Sequence, residues 1–187
     1  MANNINNNFH ILNRQSDHPD VSRAWMWELE IVGLNALVGT VDSEGLKTRI
    51  KDAIMPGANI GEIELKYMGT SQFFAGKKTP TTEMTCNFVE TEDGYVYSAI
   101  QSWMTLIQNI SPWNTEGSGS SMMASKRNGY ARDLVLTKYT YDGAKARQIQ
   151  FWNAWPKSLG DGALAYDNEG AVEFSVSFKF DGYEILA

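Results

Sequence analysis

From Ala171 to Asp181 the chain reads AVEFSVSFKFD, with Val172, Phe174, Val176, Phe178 and Phe180 at every second position. Glu173, Ser175, Ser177, Lys179 and Asp181 fill the places between. Side chains on a strand alternate faces, so this pattern predicts a final antiparallel strand with one apolar and one polar wall. A slip of one residue would put the apolar set in water, so the pattern also fixes the register of the neighbouring strands. The same alternation predicts a first strand over Arg23 to Ile31, with Trp25, Trp27, Leu29 and Ile31 on one side and Gly33 ending it. Further strands are predicted through Ile63, Leu65 and Tyr67, and through Met84, Cys86 and Phe88, with GTSQFFAGKKTP read as a linker between them.

Between Asn35 and Gly61 the periodicity fades. Gly39, Gly45, Pro56 and Gly57 mark turns there, around a short strand at Leu46 to Ile54. One helix is predicted, because Val96, Ala99, Ile100, Trp103, Ile107 and Ile110 lay a single stripe along a 3.6-residue repeat. Thr91 or Asp93 is placed to cap it and Pro112 to close it. Its other face is polar yet uncharged from Tyr95 to Ser111, which points to cover by another subunit. The Gly- and Ser-rich stretch from Ser111 to Tyr130 reads as a long loop, of the kind that is either functional or disordered. Strands at Asp133 to Tyr141 and Ala146 to Trp152 follow, joined at Asp142-Gly143, a strong hairpin signal. FWNAWPKSLGDGALAYDNEG then leads into the last strand, and all five prolines sit at breaks in the pattern. The sum is a mainly β protein, an antiparallel β-sandwich or barrel with one packed α-helix, long inter-subunit loops and an N-terminal arm.

A length of 187 residues suits one domain over 21–187 preceded by an extended, Asn-rich arm over 1–20. Net charge of −6 opposes any role that grips nucleic acid by neutralising phosphates. The single cysteine, Cys86, has no partner for an internal disulfide, which implies a reducing compartment. With no basic n-region, apolar h-region or long apolar run, the chain reads as soluble and without a signal peptide. Asn109-Ile110-Ser111 is then a glycosylation triplet without consequence.

The residues that could carry chemistry fall short of a site. His10 and His18 lack companion metal ligands, and Gly117-Ser118-Gly119-Ser120 and Gly76-Lys77-Lys78 lack the Lys-Ser/Thr and strand-to-helix context of a phosphate loop. Asp167-Asn168-Glu169 lacks the spacing of a calcium loop. Glu28 with Glu30, or Glu62 with Glu64, would serve an acid/base pair in a small β-rich enzyme, but each pair also reads as polar strand surface. Met122-Met123 reads equally as an adhesive patch or as local packing, and Lys126-Arg127 is too small a basic group for nucleic acid. No catalytic, cofactor-binding or metal residue is assigned, and no cofactor is expected.

FWNAWPKSL at 151–159, Asp161-Gly162, Tyr166-Asp167, VEFSVSF at 172–178 and Phe180-Asp181-Gly182-Tyr183 together resemble the tail tube proteins of contractile-tailed bacteriophages. The resemblance is most specific over residues 148–183 and follows the order of elements back to Trp25. It implies a non-enzymatic virion protein whose copies form hexameric rings stacked into a tube, assembled in the host bacterial cytoplasm. Implied partners are further copies of itself, the tail sheath protein, the tape-measure protein, and baseplate and tail-terminator proteins, with DNA passing through the lumen without specific binding. A tube initiator at the baseplate and the type VI secretion inner tube share that fold and are the nearest alternatives. The acidic balance of the chain predicts a net negative lumen.

Overall fold

In the computed structural model of the chain, the residues described are 23–39, 41–108, 127–162 and 170–186. The arm with His10 and His18 lies outside them, as do Asn109 to Lys126 with Pro112, Gly117 to Ser120 and Met122-Met123, and Asp167-Asn168-Glu169.

The strands are β1 (Trp27–Ile31), β2 (Ile50–Ala53), β3 (Ala58–Tyr67), β4 (Thr70–Pro80), β5 (Glu83–Val89), β6 (Arg132–Tyr139), β7 (Lys145–Leu159), β8 (Glu173–Lys179) and β9 (Gly182–Leu186). The helices are α1 (Leu34–Leu37), α2 (Ser43–Lys47), α3 (Tyr95–Ile107) and α4 (Arg127–Tyr130). All strand pairs are antiparallel, and the main sheet runs β1-β6-β7-β8-β5-β2 with β9 also on β7. That path bends into two half-sheets, because β7 pairs β6 and β9 through its first part and β8 from Trp155 onward. Strands that switch sheets at a bend are how sandwich corners are built. Among the described residues the path is open at β1 and β2, so they form no closed barrel.

The alternation in β8 is used as expected. Phe174, Val176, Phe178 and Phe180 are buried, and each contributes roughly 1.5–3 kcal/mol by leaving water. Met84, Cys86 and Phe88 of β5 face the same core, joined by Leu29 and Ile31 of β1, Leu134 of β6 and Phe151 of β7. The helix α3 presses Val96, Ala99, Ile100 and Trp103 into it, with Trp103 6.0 Å from the Phe178 ring. Burial in this apolar setting pushes the Cys86 thiol up to about 12.

Several expectations are corrected. β1 starts only at Trp27, leaving Trp25 70% exposed. The region around Leu46 to Ile54 is not one strand: Leu46 is the buried residue of α2, whose start is capped by the Asp42 carboxylate, and only Ile50 to Ala53 pair with β5. GTSQFFAGKKTP is no linker, since Thr70 to Pro80 form β4 and pair with β3. β8 is not the last strand, because β9 follows and covers the free side of β7. β7 also runs on through FWNAWPKSL. Asn153 there takes φ 53, its amide donates to the Asp133 carboxylate and its side-chain amide to Asp181, and this bend carries the strand from one half-sheet to the other. Pro156 therefore sits inside a strand, next to the register shift at Pro156/Ser158, and Pro80 closes β4.

The helix start is held by a residue the spacing did not single out. Gly94 is the N-cap residue, and the Glu90 carboxylate accepts from the amides of Val96 at 2.9 Å and Tyr97 at 2.8 Å. Asp93 contributes a weaker contact to the Tyr95 amide at 3.3 Å. Glu90→Ala is expected to cost about 1–2 kcal/mol, the usual worth of a helix cap. Urea denaturation checks this, with Glu92→Ala as the exposed control that should leave the midpoint in place.

Candidate functional site

Two surfaces stand out from the residues upward. The first is the outward face of the half-sheet β7-β8-β5-β2. Alternation in β5 and β8 turns Glu83, Thr85, Asn87, Glu173, Ser175, Ser177 and Lys179 away from the core. These groups are paired across the strands. Lys51 meets Glu173 at 2.6 Å, Lys157 meets Glu83 at 2.8 Å, and the Thr85 and Ser177 hydroxyls lie 3.2 Å apart. The Asn87 amide donates to the Asp52 carboxylate and the Lys179 ammonium to the Thr82 hydroxyl. Hydrogen bonding to Lys157 holds the Glu83 carboxyl below its ordinary range, and hydrogen bonding to Glu173 holds Lys51 above its own. Among the described residues three cations, Lys51, Lys157 and Lys179, stand against three carboxylates, Asp52, Glu83 and Glu173, so the described part of this wall is charge-balanced. It ends in unpaired backbone on both sides among the described residues: at β2, and at Trp155 to Leu159 of β7. Open strand edges are templates for pairing with another chain.

The second surface is the ribbon β3–β4. Its two strands turn at Met68 and Gly69, with φ 46 and 81, the positive values of a two-residue hairpin turn. Cross-strand pairing puts Ile63, Leu65, Tyr67 and Phe74 on one face, and Ile60, Glu62, Glu64, Lys66 and Phe73 on the other. At the bulge between Ile60 and Glu62 a Cβ on Gly76 would stand 2.9 Å from the Gly61 carbonyl oxygen, so Gly76 serves close backbone approach and not a phosphate. Every residue of β3 is exposed, including Leu65 at 55% and Tyr67 at 72%. An isolated two-stranded hairpin is marginal in water, and an apolar stripe of this kind marks a contact surface. The alternation of Ile63, Leu65 and Tyr67 was legible, but the face it makes is not in the core of its own chain.

The uncharged side of α3 is likewise open, with Tyr97, Gln101, Thr105 and Leu106 exposed and a shallow groove beside Leu37 and Val38. The carboxylate pairs are put to structural use or left in solvent. Burial raises the Glu28 carboxyl, yet hydrogen bonds from Tyr139 and Lys47, the latter 3.0 Å away, outweigh it and hold it below the ordinary range. A carboxylate kept charged in this way is a poor proton donor. Glu62 and Glu64 stand on the exposed ribbon, where Glu64 accepts from the Ser71 hydroxyl.

Comparison with known proteins gives this arrangement a context. The fold is similar to a chain of the sheath-tube complex of an extracellular contractile injection system (TM-score 0.58, 13% identity, covering 93% of this chain and 97% of that one). It is also similar to a chain of the tube-terminating cap of the anti-feeding prophage (TM-score 0.60, 13% identity, 90% and 93% covered). A third likeness is to a chain of the 6-fold symmetrised anti-feeding prophage baseplate (TM-score 0.54, 8% identity, 90% and 96% covered). No curated protein matches the sequence. A family model described as phage tail tube protein matches residues 15–186, both half-sheets and the ribbon included, and the chain therefore belongs to the phage tail tube protein family.

Proposed function

We propose that this protein builds the inner tube of a contractile phage tail from stacked six-membered rings, with no active site. The observation that carries the reading is a polar half-sheet wall that, among the described residues, is charge-balanced and bounded by two unpaired edges. Pairing the β2 edge of one copy with the Trp155 to Leu159 edge of the next is a heterologous contact, and such contacts close into a ring when the rotation between copies allows. The wall of every copy then lines the lumen. Six-fold symmetry is supported by the similarity to the 6-fold symmetrised baseplate chain.

Whole-chain charge predicts a net negative lumen, and on this reading the described part of its wall carries Lys51, Lys157 and Lys179 against three carboxylates. Either wall lets DNA slide, since affinity for phosphates needs an excess of cations. The ribbon and the arm over 1–20 reach copies in adjacent rings. The uncharged α3 face is open to covering by a neighbour or by the sheath protein. The tape-measure protein occupies the lumen before ejection, and baseplate and terminator proteins close the two ends. The tube is assembled in the host bacterial cytoplasm and works in the virion.

Negative-stain microscopy and sedimentation of concentrated protein test the reading. Rings or tubes with a central channel are the expected result, and a monomer at every concentration would refute it.

A further inference from the structure

The seam between the half-sheets holds an apolar cavity of about 170 Å³, walled by Trp27, Met55, Leu136 and Ile149 with Lys138 and Arg147. Lys138 and Arg147 are opposite one another in the β6–β7 ladder, and neither is in an ion pair among the described residues. A cavity of roughly 150 Å³ is enough to hold a benzene ring. On the polar face of the ribbon one ring fits that description. Phe73 is 63% exposed, directly across from Glu64 and diagonal to Glu62 and Lys66, the last paired with Glu64 at 3.6 Å. An aromatic knob whose surround is net negative, two carboxylates against one lysine, is the complement of an apolar hole flanked by two cations.

We infer that Phe73 of one copy seats in the seam cavity of another, with Glu62 and Glu64 meeting Lys138 and Arg147. The inference rests on the tube reading above and adds the socket that receives the ribbon. The occupant is a second copy, because Phe73 lies about 20 Å along a paired ribbon from its own root at Pro80, counting about 3.3 Å per residue. Met55, at that root, is part of the cavity wall, so the ribbon of one copy lands at the base of the ribbon of the next. Knob and hole are different patches of the same chain, and a contact of that kind propagates along a filament. The apolar stripe of Ile63, Leu65, Tyr67 and Phe74 on the opposite face remains free for a separate neighbour.

The test is a crosslink in assembled tubes. Phe73→Cys combined with Met55→Cys, treated with a short bismaleimide, should give a ladder of trimers and larger species on a denaturing gel, while each single variant gives dimers at most. Cys86 is fully buried and stays out of the reaction. Tubes seen by microscopy whose double variant runs as monomer would overturn the socket and leave the tube reading standing. Wild-type protein that never assembles would instead refute the tube reading, and the socket with it. If the cysteine pair itself blocks assembly, charge exchange decides. Arg147→Glu should lower tube yield about tenfold or more, because facing like charges cost several kcal/mol. Glu64→Arg should restore it, and failure to restore overturns the socket.

Discussion

Val176→Asp is expected to leave the chain unfolded. Val176 is fully buried in β8, within the apolar core and flanked across the ladder by Cys86 and Leu159. Leaving a charge unpaired in such a site costs about 3–5 kcal/mol. Losing the apolar contact removes roughly 1.5–3 kcal/mol more. Together these approach the whole stability of an ordinary domain, about 5–15 kcal/mol. Ser175→Asp, one position away on the outward wall, should fold normally. Circular dichroism melts of the pair check the face assignment, and a cooperative Val176→Asp transition near that of the wild type would contradict it.

The opposite dissociation of fold from assembly is expected for Ile63→Asp combined with Phe74→Asp. These residues are partners across the ribbon and stand at 53% and 50% exposed, so the isolated chain has little to lose. Surface changes of this kind usually shift stability by less than about 0.5 kcal/mol. In the proposed tube both side chains are covered by another copy, and since each is already half buried, losing the remaining burial costs about 1.5–3 kcal/mol per contact. Affinity between copies should fall at least about tenfold. Unchanged melting with no tubes under the microscope is the expected pair of results, and tubes forming at wild-type concentrations would show that the stripe contacts nothing.

The elements legible in the sequence were those whose periodicity is resolved inside a single chain. β8 and β5 alternate because one face meets the core, and α3 shows its stripe because Val96, Ala99, Ile100 and Trp103 all point the same way. β4 was missed because neither of its faces meets the core of its own chain. Gln72, Phe73, Phe74 and Ala75 therefore follow no inside-outside rule, and Gly69 is a hairpin turn instead of the start of a linker. The second half of β7 was missed because Asn153 and Pro156 are ordinary break signals, used here to bend a strand between half-sheets. Glu90 was missed because it caps α3 from four residues before the N-cap Gly94, outside the usual capping spacing. The outward polar wall was legible in the alternation of β8. Its charge balance was not, since Lys51, Asp52 and Lys157 join it only through pairing with distant strands.

Cryo-electron microscopy of the assembled particle should show a ring in which β2 of each copy pairs with the Trp155 to Leu159 edge of its neighbour, with Thr85, Asn87, Ser175 and Ser177 facing the channel. A map in which those side chains face outward, or in which the two edges stay unpaired, would contradict it.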